Sequence, residues 1–176
     1  IDASDNPAIV VNNQLSYRIT DKAMTGVGIT YKFTKLLDKY YGVDYADDYL
    51  DLVALGMIGD RADTVNLQTR YLILKGLEQI RNKVNKNKLI SVLVNAQMYS
   101  MNNKITINGI GFYVCPLMNS MIRLGEYEDK CYMFEALCNS DEMLDRKVRG
   151  KGVVNMTIQE YVLKACQSSN RKQKKI

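Results

Sequence analysis

A chain that offers one strand and no partner for it cannot be built around a sheet. Residues 6–14 read "NPAIVVNNQ", a short apolar run bounded by Asn and Pro, which predicts one buried strand over about 7–12. No second run of that kind follows. A lone strand leaves its backbone donors and acceptors unpaired, so the rest of the chain must fold as helices, and the strand implies a larger parent structure. The opening residues, "IDASD", are expected to be an internal point of that parent.

Helical periodicity fills most of what remains. A first helix is predicted from Thr20 or Asp21 to Tyr41, with Ile29, Phe33, Leu36, Leu37 and Tyr40 on one face and Gly42 as its C′ residue. Thr25, Gly26 and Gly28 near its start are small enough to admit either another backbone or a phosphate. A second helix runs from about Asp44 to Ile58. A third runs from about Thr64 to Val84, with Leu67, Tyr71, Leu74, Leu77 and Ile80 as its stripe. A fourth covers "KNKLISVLVNAQM" at 86–98. "ITINGIGFYVCPLMNSMIRLGE" at 105–126 opens with a cap at Thr106 and carries Pro116 in mid-helix, which must kink the axis. "EYEDKCYMFEALC" at 126–138 is a further helix. "DRKVRGKG" at 145–152 reads as a basic connector, and Thr157 with Glu160 forms a capping box for the last helix.

Residue chemistry narrows the functions. Histidine is absent, which removes the commonest general base, the Ser-His and Cys-His nucleophile pairs and the usual zinc ligand sets. The four cysteines, Cys115, Cys131, Cys138 and Cys166, include no CxxC pair and read as reduced thiols of a cytoplasmic protein. No uncharged stretch approaches the length of a membrane span. Residues 1–63 hold ten Asp and six Lys or Arg, for a net charge of −4. Residues 64–176 hold nine acids and eighteen bases, for a net charge of +9. An acidic half joined to a basic half suggests a metal-binding end and a polyanion-binding end, against the plainer reading of a solvated basic tail.

One carboxylate is out of place. Asp44, Asp47, Asp48 and Asp51 sit near a helix start, where the dipole favours anions. Asp60 falls where the second helix should end and the dipole is negative. Asp60 or Asp63 can cap the third helix, Asp63 being better placed. Alternatively, Asp60 serves a divalent metal.

Several segments, in order, resemble the DHH phosphoesterase superfamily in its RecJ-type single-strand exonuclease branch. "LDLVALGMIGDRAD" resembles the fourth acidic motif, "TGVGITYKF" the SGxGVAFK helix start and "TRYLILKGLEQI" the NRxLVxxGLxxI segment. "INGIGFYVCPLMNSMIRLGE" resembles DIGFxxAPRxNAAGRLG, "NPAIVVNNQ" the strand and turn after the DHH triplet, and "NRKQKKI" the start of the connector helix. The basic "DRKVRGKG" insertion is most similar to bacteriophage versions.

The resemblance implies a mainly α chain, the C-terminal half of an α/β DHH domain with one or two strands over 1–140. Residues 141–176 would be a basic connector and the start of a linker helix. It implies a Mn²⁺- or Mg²⁺-dependent 5′→3′ exonuclease of single-stranded DNA, of the kind used in DNA repair and recombination. Asp60 would be a metal carboxylate, and Asn119 and Arg123 would match the NAAGR element near the strand. Arg70 would match a family Arg or serve as a structural partner. Arg146, Lys147 and Arg149 would add a basic track for DNA. Leu117 and Ile122 stand where the family has Arg and Gly.

The upstream DxD and DHH motifs have no counterpart here, so the chain is expected to be inert by itself and not to hold the metals. Its exposed apolar helix faces are expected to pair it with a second copy. Two other readings stay open: a phosphodiesterase of short oligonucleotides or cyclic dinucleotides, and a non-catalytic helical module that binds nucleic acid or protein.

Overall fold

A computed structural model describes residues 7, 9–15, 17, 18, 22, 24–84, 86–148 and 150–174, the side chain of 148 excepted. The helices are α1 (Gly26–Tyr41), α2 (Leu50–Gly59), α3 (Leu67–Arg81), α4 (Lys88–Gln97), the single turn α5 (Ile107–Gly109), α6 (Cys115–Leu124), α7 (Tyr127–Leu137) and α8 (Ile158–Gln173). A 3-10 turn (Ala46–Tyr49) leads into α2, and a π-helical stretch (Ile110–Val114) joins α5 to α6. The chain is mainly α, with one antiparallel pair, β1 (Met143–Val148) and β2 (Gly152–Thr157), in the register Met143↔Thr157 through Val148↔Gly152.

The strands are not where the apolar run placed one. Residues 9–12 are irregular and exposed, with Ile9 94% accessible. No second segment pairs with them among the described residues, and an unpaired strand has nowhere to spend its backbone hydrogen bonds. The hairpin forms instead in the basic segment read as a connector. Gly150 and Gly152 turn it at φ +79° and +73°, a region that favours glycine. Leu144 packs against the core and Met156 is buried, which anchors one hairpin face.

The core lies between α2, α3, α4, α6, α7 and α8, centred on Met57, Ile73, Leu77, Leu89, Ile90, Leu93, Ile110, Met121, Ile158 and Val162. α2 is apolar on every side and buried, so its neighbours must surround it. α3 comes closest to α2 at Gly76, where an added Cβ would lie 2.1 Å from the Leu50 carbonyl oxygen. That contact sets the face α3 presents. Thr69, Leu72, Ile73, Gly76, Leu77 and Ile80 point inward, while Leu67, Tyr71 and Leu74 of the predicted stripe are exposed.

α1 departs further. It starts at Gly26 and docks through small groups: Gly28 meets Met57 and Met24, and Val27 fills the space over Gly56. Packing therefore explains the small residues at its start. Phe33, Leu36, Leu37 and Tyr40, predicted to face the core, are exposed.

Other local signals appear as read. Gly42 closes α1 at φ +67°, with Val43 N–H donating to the Asp38 carbonyl. Thr106 Oγ1 accepts from Gly109 N–H at 2.9 Å. Thr157 and Glu160 make the reciprocal capping box of α8. Pro116 does not interrupt one long helix. It sits in the first turn of α6, where a missing N–H costs nothing, and the wider π turn before it takes up the offset.

Candidate nucleic-acid interface

The acidic run before α2 is spent on structure. Lys35 Nζ bridges Asp44 at 2.8 Å and Asp47 at 3.3 Å, and the Tyr31 hydroxyl donates to Asp47 at 2.7 Å. Burial, then the Asp47 carboxylate, pushes the Tyr31 hydroxyl far above the usual phenol range. Asp48 pairs with Lys86 at 3.0 Å. Asp51 is fully buried and accepts from Leu52 N–H at 2.7 Å and Asn87 N–H at 3.3 Å, tying α2 to the start of α4. Near a helix start these carboxylates also meet the positive end of the dipole.

Asp60 is used differently. It is the C-cap of α2, and its backbone N–H donates to the Gly56 carbonyl at 3.0 Å. The turn closes as a Schellman motif: Ala62 N–H donates to Met57 O at 2.9 Å, and Arg61 N–H to Ile58 O at 3.1 Å. The Asp60 side chain is exposed, and among the described residues it takes part in no hydrogen bond or ion pair. Neither Asp60 nor Asp63 caps α3. Asn66 does, accepting from Gln68 N–H at 2.9 Å and Thr69 N–H at 3.1 Å. Asp63 Oδ1 accepts from Val65 N–H at 2.9 Å, one step short of the helix. The cap falls to Asn66 because the chain turns for three more residues before α3 begins.

Arg70 reaches back to that loop, donating from Nε to Thr64 O at 3.0 Å and from Nη2 to Val65 O at 3.4 Å. Its placement makes it a brace for the turn that presents Asp60.

A cleft of about 550 Å³ lies between this turn and the α5–α6 segment. Asn119 and Arg123, one helical turn apart on α6, both line it. So do Gly59 and Arg61, the two neighbours of Asp60 in the chain. Cys115 also lines it. Its thiol is pushed up to about 11, first by burial and further by the Asp60 carboxylate, which puts that carboxylate within electrostatic reach of the cleft wall. At the far side Gln173 of α8 completes the lining. Ser120 Oγ is placed to give its one proton to Gln173 Oε1 at 2.6 Å, with Asn170 Oδ1 at 3.2 Å and Pro116 O at 2.6 Å as competing acceptors, so a buried serine ties α6 to the end of α8.

Sequence spacing did not single out Arg61, Phe112 or Gln173. Arg61 was legible only as the residue after the acid, and its left-handed backbone, φ +54°, comes from the Schellman turn. Phe112 is 71% accessible although it stands among core residues in sequence. Leu117 is buried, so the position where the resemblance expects Arg serves the core here, and Ile122 is exposed.

The basic hairpin is a separate surface. Arg146 folds onto α8, its guanidinium 4.6 Å from the Tyr161 ring centroid and Nη1 3.5 Å from Tyr161 O. Lys147, on the other face of β1, is exposed. Arg149 lies outside the described residues.

Among the described residues, no group of three or more His, Cys, Asp or Glu side chains gathers where a metal could sit. A divalent cation of the Mg²⁺ or Mn²⁺ kind takes about six ligands. Asp60 by itself does not fit that requirement.

Over 170 residues, 96% of the chain, the sequence is 37% identical to the SPbeta prophage-derived single-strand DNA-specific exonuclease YorK of Bacillus subtilis (strain 168), whose name marks the activity as unproven. It matches the protein of the same name from Bacillus phage SPbeta equally well. The chain spans 29% of the length of these relatives. No family model and no solved structure matches it. Among the described residues, no helix is long and apolar enough to cross a membrane.

Proposed function

We infer that this chain, related over nearly its whole length to YorK-type single-strand DNA-specific exonucleases, is the strand-contacting part of a nuclease of that kind. The observation that carries the reading is the cleft that brings Asn119 and Arg123 against the Asp60 turn. A guanidinium takes two phosphate oxygens at once, and an amide supplies both donor and acceptor to a neighbouring sugar or base. One turn of α6 sets the spacing of the two side chains, and buried Ser120 ties that helix to α8. In this reading Arg123 holds a backbone phosphate, Asn119 orients the adjoining group, and Arg70 keeps the Asp60 turn in register.

Asp60 is one carboxylate of a Mn²⁺ or Mg²⁺ site. The remaining ligands have to come from other residues of a longer protein, so the work of this chain alone is to bind and orient a strand without cutting it. Lys147, exposed on the separate basic hairpin, adds charge that any sequence of bases satisfies. The apolar face of α1, with Phe33, Leu36 and Tyr40 exposed, is the surface by which isolated copies would pair.

The test is fluorescence anisotropy of the purified chain with a labelled oligothymidine at several salt concentrations. Binding that weakens steeply with salt, and is at least tenfold weaker in Arg123→Ala, is the expected result. Equal affinity at low and high salt, or an Arg123→Ala protein that binds normally, would refute the reading.

A further inference from the structure

The same cleft holds groups that phosphate recognition by Arg123 and Asn119 leaves unused, and they come from its opposite walls. Arg61 stands on the α2–α3 turn, Arg123 on α6, and Phe112 on the π-helical stretch. We propose that this cleft is a single-nucleotide subsite, in which Arg61 and Arg123 hold one backbone phosphate from two sides and Phe112 stacks on the attached base. The inference rests on the strand-binding reading above and names how the strand is held.

Three observations support it. The volume, about 550 Å³, falls within the range of small-ligand sites, roughly 300–1,000 Å³, and is too small for duplex DNA. Phe112 is 71% accessible, while its neighbours Ile110 and Val114 are fully buried. An aromatic ring left exposed on the wall of this cleft offers a face to any base, which is how single strands are held without reading sequence. Arg61 occupies the C′ position of a Schellman turn, where glycine is the ordinary choice, and it holds φ +54°. Lys83 and Asn139 take the same conformation at the ends of α3 and α7, so the backbone alone does not single Arg61 out. What does is that Arg61 lines the cleft. Glycine there would relieve the backbone and forfeit the second guanidinium.

The experiment uses the purified chain, a labelled oligothymidine, and the same oligomer with an abasic residue at each position in turn. Affinity is measured from low to moderate salt for the wild type and for Arg61→Gly, Phe112→Ala, Phe112→Trp and Arg123→Ala. Arg61→Gly should melt no lower than the wild type, yet bind more weakly, with the logarithmic salt slope shallower by about 0.7, as for one lost single-strand phosphate contact. Phe112→Ala should bind about tenfold more weakly with the slope unchanged, and Phe112→Trp should restore binding. One abasic position should weaken the wild type and leave Phe112→Ala unaffected. If Arg61→Gly and Phe112→Ala bind like the wild type while Arg123→Ala does not, the subsite is refuted and the strand-binding reading survives. If Arg123→Ala also binds normally, both fall.

Discussion

Replacing Gly76 with Ala tests the packing that sets the site. Gly76 is where α3 meets α2, and an alanine Cβ there would lie 2.1 Å from the Leu50 carbonyl oxygen and 2.5 Å from the Ala54 Cβ. Ordinary contact begins near 3.4 Å, so α3 must retreat by up to about 1.3 Å. The obstacle is backbone, which cannot swing aside as a side-chain tip would. Overpacking of this sort costs about 1–3 kcal/mol, and the rigidity of the neighbour points to the upper end. Against that, alanine is a better helix former than glycine by about 0.8–1.0 kcal/mol. The net expectation is a loss of about 2 kcal/mol, which for a chain of this size lowers the melting temperature by about 4–8 °C. Thermal melting followed by far-ultraviolet circular dichroism measures it. Gly26→Ala in α1 is the control, because nothing lies within 4 Å of its added Cβ and the substitution should leave melting unchanged or slightly higher. Because α2 ends in the Asp60 turn, Gly76→Ala should also weaken oligothymidine binding at temperatures where the protein is still folded. A Gly76→Ala protein as stable as the wild type would show that the α2–α3 contact does not set the register of α3.

The remaining expectations concern single residues. Asp60→Asn should leave stability unchanged or raise it by up to about 1 kcal/mol, since it removes a negative charge from the negative end of α2. If Asp60 has the proposed metal role, the matching change in a full-length relative should abolish degradation of single strands assayed with Mn²⁺, and retained activity would refute that role. Asn66→Ala should cost about 1 kcal/mol, because two backbone donors at the start of α3 lose their acceptor; calorimetry would read this as a drop of about 2–4 °C. Burial holds the Cys115 and Cys166 thiols up at about 11 and about 12, against an ordinary 9.0. At pH 8 a thiol reagent should therefore label only Cys131 and Cys138 before unfolding, and four fast-reacting thiols would contradict the buried placement. The unfolded chain releases those two protons first, so the stability they give is complete below about pH 9 and fades as pH climbs toward 11 to 12. Alkaline titration of the melting temperature would show whether it does.

Much of the fold could be read from local chemistry because that chemistry acts within a few residues. A glycine at Gly42 and hydroxyl caps at Thr106 and Thr157 each act on a helix end through their own backbone or a neighbour's, so their effect does not wait on the rest of the molecule. The apolar length of 52–59 likewise demands burial wherever it lies. Of the site, the sequence offered Asp60, Asn119 and Arg123 as candidates, each by its chemical type and motif.

Tertiary structure decided what periodicity leaves open, which is the face each helix turns inward. α3 carries apolar residues on two sides, and the approach of Gly76 to the Leu50 carbonyl chose the one that buries Leu72 and Ile73 over the one bearing Tyr71 and Leu74. α1 docks through glycine and an aspartate, Asp38, whose Oδ2 accepts from Tyr45 and Ala46 N–H at 3.0 and 2.8 Å, so its apolar stripe points outward. The β1–β2 hairpin, basic only in β1 and at its turn, pairs because Leu144 and Met156 find the core, a contact across the molecule that no local pattern records. The cleft is the same kind of product. A turn after α2, a π stretch before α6 and the end of α8 are far apart in the chain, and only packing gives Arg61, Phe112, Asn119 and Arg123 a common space.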